Sequence, residues 1–182
     1  MPEAYQIKDQ FALYFLTPTI VFWLDIFTRK EYRDIVIDSL KYCRKHKHLE
    51  IFGYVIMSNH LHLIVRSKNG TLSDTIRDLK KFTANKILEQ IDSVNESRRK
   101  WLLSEMAYAA RKHKRNSHYQ LWTHENHAVE LISNKMIDQR LEYLHQNPVK
   151  AGFVDEPEDY IYSSARNYTE GRDCLMKVDL LL

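Results

Sequence analysis

From Glu50 to Arg66 the sequence reads as two β-prone runs folded about a two-residue turn. Glu50 to Met57 and His60 to Arg66 are rich in Ile, Val, Leu, Phe and Tyr, residue types that suit a pleated, half-buried surface. Ser58-Asn59 supplies the turn, since Asn tolerates a positive φ. Alternate residues of a strand point the same way. Leu61, Leu63 and Val65 therefore share one face, toward covering helices, and His60 and His62 project together from the other.

The remaining elements arrange themselves around this hairpin. Ala12 to Phe27 is rich in Phe, Tyr, Ile, Val and Trp and reads as a strand, with Pro18 forcing a bend or an edge. Thr28 and Glu31 have the spacing of a capping box. The helix after them carries Tyr32, Ile35, Val36, Ser39, Leu40 and Cys43 at helical spacing and ends in the basic run Arg44 to His48. Lys68-Asn69-Gly70 closes the hairpin's second strand. Leu72 to about Val94 is a long helix with Leu72, Ile76, Leu79, Phe82, Ile87 and Ile91 as its apolar positions. Trp101 to Ala110 reads as helical within a basic segment. A fourth strand falls in Tyr119 to Ile132. Ser133 caps a last helix that runs to Asn147, where Pro148 stops it. This order predicts an α+β fold, a ferredoxin-like split βαβ sandwich: an antiparallel sheet with helices on one face and a last helix packed by the other.

The chain has 182 residues, 44% hydrophobic and 28% charged. That suits one globular domain with its own core and excludes a disordered chain. A net charge of +3 permits nucleic-acid binding without demanding it. Cys43 and Cys174 form no CxxC pair and no zinc spacing, and read as reduced thiols. Phe11 to Leu24, the most apolar stretch, contains Pro18 and is too short to span a bilayer as a helix. The first residues lack the pattern of a signal peptide. The expectation is a cytoplasmic protein with no membrane contact.

Two constellations carry chemistry. His60 and His62 stand about 7 Å apart along their strand, near enough to converge on one divalent cation. By spacing alone, two solvent-satisfied histidines on an open face explain the pattern as well. In the last helix, Ile137, Leu141 and Leu144 form the buried stripe. Tyr143 and Asn147 share one edge of it, with Gln139 on the same row. This pair can bring a phenol and an amide oxygen toward one point; the blander reading is a tyrosine flanking the core. Together the groups make chemical sense. A phenolate is a competent nucleophile for phosphodiester transfer, and a metal that polarises a phosphoryl oxygen activates its target. The tyrosine ester stores bond energy, so the step can run backwards without ATP.

Basic residues supply phosphate contacts. The candidates are Lys80, Lys81 and Lys86 on the long helix, then Arg98 to Lys100, then Arg111, Lys112, Lys114 and Arg115. A solvated charged face is the alternative for each cluster. Trp122, Tyr119, His124 and His127 are candidates for stacking on unpaired bases, and Trp122 suits a core equally.

At this point the residues carry a family likeness. Gly53-Tyr54-Val55-Ile56-Met57-Ser58-Asn59-His60-Leu61-His62-Leu63-Ile64-Val65 closely resembles the metal-binding hairpin of single-tyrosine HUH transposases, named for a His-hydrophobic-His motif. Tyr143-Leu144-His145-Gln146-Asn147-Pro148-Val149-Lys150-Ala151-Gly152-Phe153-Val154 resembles their catalytic helix and its exit. Pro157-Glu158-Asp159-Tyr160, Ser163-Ser164 and Tyr168 are similar to the tail of the REP-associated tyrosine transposases. The resemblance implies a catalytic domain over residues 1–154 and a tail over 155–182. It implies Tyr143 as nucleophile, His60, His62 and Asn147 as ligands of Mg²⁺ or Mn²⁺, and single-stranded or hairpin DNA as partner. It implies cleavage and rejoining through a 5′-phosphotyrosine, by a monomer or a homodimer. Two features depart from the family pattern: a longer segment from Asn95 to His118 and no clear copy of the opening strand. The alternative is a hairpin-DNA-binding protein without strand transfer. An RNA-binding module of the same fold calls for aromatics on the central strands where the two histidines stand.

Overall fold

The computed structural model of the chain describes residues 6–93, 96–112 and 118–181. The elements are β1 (Tyr14–Leu16), α1 (Lys30–His46), β2 (Leu49–Ile56), β3 (Leu61–Ser67), α2 (Leu72–Ser93), α3 (Arg99–Arg111), β4 (Val129–Glu130) and α4 (Asn134–Lys150). The sheet order is β2-β3-β1-β4, with every neighbour antiparallel. This is the ferredoxin-like sandwich expected from the sequence, with α3 inserted before β4 and α4 appended after it.

The strands bury both faces. Tyr14, Leu16, Ile51, Tyr54, Leu61, Leu63 and Val65 join the main core with the apolar sides of α1, α2 and α3. Phe15, Phe52, Val55 and Ile64 form a second cluster with Leu144, Ile137 and Leu141 of α4. β3 divides its residues as alternation predicts, whereas in β2 a register shift between Ile51 and Gly53 puts Ile51 and Tyr54 on one face and Phe52 and Val55 on the other. Gly53 sets the distance of α4. A Cβ there would stand 3.1 Å from Leu141 Cδ1 and 3.4 Å from Leu144 Cδ1, so the missing side chain lets the helix settle on the sheet.

Several boundaries differ from the sequence reading. The first strand is three residues long, not sixteen, because Pro18 has no N–H for the ladder and the chain then tightens into a 3₁₀ turn at Val21–Trp23. Pairing nonetheless survives beyond the proline. Tyr14 pairs with Val65, Phe15 with Ile64 and Leu16 with Leu63, and Thr19 again bridges His60. The register is unbroken, which puts Thr17 opposite His62. Thr28 does not cap α1; its hydroxyl donates to the Asp25 carbonyl at 2.9 Å, and Arg29 occupies the cap position. Phe82 is 53% exposed; Thr83 takes the inward position instead, its methyl buried and its hydroxyl donating to the Leu79 carbonyl at 2.8 Å. The fourth strand shrinks to two residues, Val129 paired with Phe15 and Glu130 with Tyr14, although single backbone bonds from Leu131 to Leu13 and from Thr17 to Asn126 continue the contact on either side. The hairpin turn at Ser58-Asn59 forms without a positive φ at either residue.

Pro148 lies inside α4 and does not end it. In the last turn its missing N–H costs a single bond, and the helix closes beyond it. Gly152, at φ +72, donates to the Val149 carbonyl at 2.9 Å, and Phe153 N–H donates to the Pro148 carbonyl at 2.9 Å. These two bonds are the Schellman closure that a left-handed glycine allows. The other end is capped as expected, with Ser133 accepting from Met136 N–H.

The segment after α4 covers the outer edge of β2. Ile56 N–H donates to the Tyr162 carbonyl at 2.9 Å, Tyr54 N–H to Ser164 Oγ at 2.9 Å, and Asp179 N–H to the Ile51 carbonyl at 2.8 Å. An uncovered edge strand is a template for pairing with another chain; here the protein's own tail fills it. Among the described residues no helix is long and apolar enough to cross a membrane.

Candidate active site

The unbroken register across Pro18 builds the site. Phe15, Thr17 and Thr19 of the first strand and its extension face the same way as His60 and His62 of the hairpin. The two imidazole centroids lie 4.7 Å apart. Phe15 stacks on His62 at 5.1 Å. Each ring has its Nδ1 engaged: His62 with Thr17 Oγ1 at 3.0 Å, His60 with Asn59 Oδ1 at 2.7 Å. Neither Nε2 has a hydrogen-bond partner among the described residues.

Across the cleft α4 presents one helical row: Arg140, Tyr143, Asn147 and Lys150. The Tyr143 ring lies 5.3 Å from His62 and 6.1 Å from Phe15. The Arg140 guanidinium stands 5.1 Å from the Phe15 centroid, and Lys150 Nζ 5.5 Å from the Tyr143 centroid. Asn147 donates weakly to the Tyr143 carbonyl at 3.4 Å, which leaves its Oδ1 without a donor among the described residues. All of these but Lys150 line an open cleft of about 850 Å³ whose far wall is the 123–127 loop. His60, His62, Tyr143 and Asn147, separated by more than 80 positions in sequence, thus meet in one cleft of one chain.

Burial governs the electrostatics. It lowers the pKa of His60, and with the neighbouring His60 and Arg140 it brings His62 down to about 3. Both rings are therefore neutral at ordinary pH and present lone pairs, not positive charge. Neutral imidazoles with Nδ1 held by an oxygen have the arrangement of metal-ligating histidines. Among the described residues, no group of three or more His, Cys, Asp and Glu is placed to hold a metal. The groups of this wall that could hold an ion are the two imidazoles and the Asn147 amide oxygen, a weak mixed set.

The other sequence candidates fall differently. Trp122 is core, 6% exposed, packed on Phe27 and donating its indole N–H to Thr83 Oγ1 at 3.0 Å. Lys80 turns inward, its amine donating to the Thr123 carbonyl at 2.7 Å and Asn126 Oδ1 at 2.8 Å. It braces the loop that forms the far wall, and together with Arg77 and Lys81 it lines a separate pocket beside that loop. Lys86 pairs with Glu89 at 2.8 Å on the helix surface, and Lys81 is exposed. Arg111 and Lys112 are exposed at the end of α3, beside Tyr108. Lys114 and Arg115 lie outside the described residues. Gln139 is exposed on α4 and outside the cleft lining; Arg140 takes the place expected of it. Thr17, Phe15, Trp23 and Arg140 were not singled out from the sequence. Arg140 was within reach, three residues before Tyr143 on the same row, whereas Thr17 needs the register.

A family model described as "Transposase IS200 like" matches residues 24–147. The solved structure of a REP-associated tyrosine transposase bound to a REP hairpin is similar over 100% of this chain and 94% of that one, with a TM-score of 0.61 and 18% identity. At that identity the likeness speaks for the fold. Among curated protein sequences none matches the chain.

Proposed function

The chain belongs to the IS200-like transposases, and on that premise we propose that it cuts and rejoins single-stranded DNA through a covalent bond to Tyr143, at sites flanked by hairpins. The observation that carries the proposal is the approach of Tyr143 to His62, with ring centroids 5.3 Å apart, across a cleft that also holds His60 and Asn147. A helix and a strand far apart in sequence bring a phenol to two neutral imidazoles.

In the forward step the Tyr143 oxygen attacks the phosphorus of a phosphodiester. A Tyr143 O–P bond forms, the P–O3′ bond breaks, and the departing 3′ oxygen takes up a proton as a free hydroxyl. Tyr143 is 39% exposed, so its own proton leaves to water. The reverse step, attack by a 3′ hydroxyl on the phosphotyrosine, reseals the strand and frees the phenol. His60, His62 and Asn147 are the residues that would hold Mg²⁺ or Mn²⁺. A divalent ion bound there supplies positive charge to a non-bridging phosphate oxygen. Arg140 and Lys150 flank the tyrosine on the same helical row and hold the phosphate by charge. Phe15 and Thr17 fix the His62 ring. Tyr143 reaches His62 without rearrangement of its own chain, and that approach favours a nucleophile acting in its own subunit's site.

The test is incubation with a panel of labelled single-stranded hairpins and Mn²⁺, followed by a denaturing gel. The expected result is a protein-linked product with the wild-type chain and none with Tyr143→Phe. Hairpin binding without any product from the wild-type chain would favour a binding protein without strand transfer.

A further inference from the structure

The Phe22-Trp23 dipeptide has no part in the chemistry above, yet its backbone is unusual. Both residues sit in the left-handed region, at φ +53 and +57, where residues other than Gly, Asn and Asp are uncommon. Two bulky aromatics in succession there cost free energy. Burial does not offset the cost, because Trp23 is 64% exposed and Phe22 44%. The backbone is nonetheless tied down. Trp23 N–H donates to the Ile20 carbonyl at 3.1 Å, Asn59 Nδ2 donates to the Trp23 carbonyl at 3.3 Å, and Asp25 pairs with Arg98 at 2.6 Å. The fold holds these rings out into solvent.

Their surroundings point to a ligand. Trp23 lines the cleft and meets His60 edge-on, with centroids 5.9 Å apart. Phe22 stacks on Tyr108 of α3 at 5.8 Å and 29°. Tyr108 is itself 49% exposed. Lys112 Nζ stands 4.3 Å from the Tyr108 centroid and 5.1 Å from that of Phe22. An exposed indole beside the cleft, with a cation held over the adjoining Phe22–Tyr108 stack, suits a flat, π-faced group that carries a phosphate. We infer that Trp23, with the Phe22–Tyr108 pair and Lys112 behind it, is a stacking platform for unpaired nucleobases next to the linkage that Tyr143 attacks. The inference rests on the proposal that the cleft takes single-stranded DNA. Every base has a π-face, so the platform grips single strands with little regard to sequence and ignores paired bases, whose faces are covered.

The test uses the full chain carrying Tyr143→Phe, without metal, so that binding is read apart from cleavage. Labelled oligo-dT of about 20 nucleotides and a duplex of equal length are titrated by fluorescence anisotropy. Adding Trp23→Ala is expected to weaken oligo-dT binding about tenfold and leave duplex binding unchanged, while Trp23→Phe keeps most of the affinity because it keeps a ring. Circular dichroism melts of both variants confirm that they are folded. Oligo-dT binding by Trp23→Ala equal to its parent, or an equal loss on duplex, overturns the platform. The wild-type adduct assay is scored separately. An adduct together with unchanged oligo-dT binding overturns the platform alone. Absence of the adduct overturns strand cleavage and leaves the oligo-dT comparison to decide the platform.

Discussion

Thr17→Val removes one oxygen and almost no volume, and it isolates the support of His62. Thr17 Oγ1 and His62 Nδ1 are 3.0 Å apart, and the imidazole is 5% exposed. Valine keeps the β-branched shape that the extended backbone favours. When Nε2 ligates a cation, Nδ1 carries the proton and Thr17 accepts it. Without Thr17 the buried N–H has no partner, and the ring prefers the tautomer with its proton on Nε2, the nitrogen a metal needs bare. Two magnitudes follow. Leaving a buried ring nitrogen without its partner costs about 1–3 kcal/mol of stability. Loss of a partner that orients a ligating histidine lowers metal affinity by about 10–100-fold. Stability is read from urea unfolding and Mn²⁺ affinity from calorimetric titration of the folded protein. The two readouts separate because the variant is expected to remain folded while the cation is held poorly. Mn²⁺ affinity within about twofold of wild type would refute the reasoning that Thr17 sets the His62 tautomer.

Two further outcomes are expected. Gly53→Val places methyl groups where a Cβ alone would already stand 3.1 Å from Leu141 Cδ1; it should cost about 1–3 kcal/mol in chemical denaturation. It should also lower adduct yield at equal folded fraction, because α4 carries Tyr143 away from the sheet; an unchanged yield would separate the helix seat from the chemistry. Burial pushes the Cys43 thiol up from 9.0 to about 11. The unfolded chain then loses that proton first, so the stability this group contributes is fully present below pH 9 and is lost as the pH rises toward 11. The stability difference between wild type and Cys43→Ala should shrink over that window by about 2–3 kcal/mol, and a difference that stays constant across it would contradict the assignment.

Much of this was legible from local pattern. Leu61, Leu63 and Val65 against His60 and His62 is a period-2 signal, and a one-residue slip would put the histidines in the core. Ile137, Leu141 and Leu144 at helical spacing placed α4 on the sheet and Tyr143 at its edge. What the local pattern hid was set by pairing at a distance. Pro18 breaks the strand in sequence, yet the register holds on both sides of it, with Thr17 set opposite His62 before the proline and Thr19 bridging His60 after it. Pro148 looks like a helix terminator until Gly152 closes the helix beyond it. Trp122 suits both a stacking face and a core, and Thr83 decides it by accepting the indole proton. Lys80 has the charge of a phosphate ligand, but three acceptors in the 123–126 loop turn it inward.

The most direct test of the central claim is the identity of the covalent bond. Wild-type protein that has reacted with a hairpin-flanked single strand in Mn²⁺ is digested with protease and nuclease, and the cross-linked peptide is sequenced by mass spectrometry. The account predicts one modified residue, Tyr143, joined to a nucleotide through its 5′ phosphate, with a free 3′ hydroxyl on the other fragment. A link at any other side chain, or one through a 3′ phosphate, would contradict it.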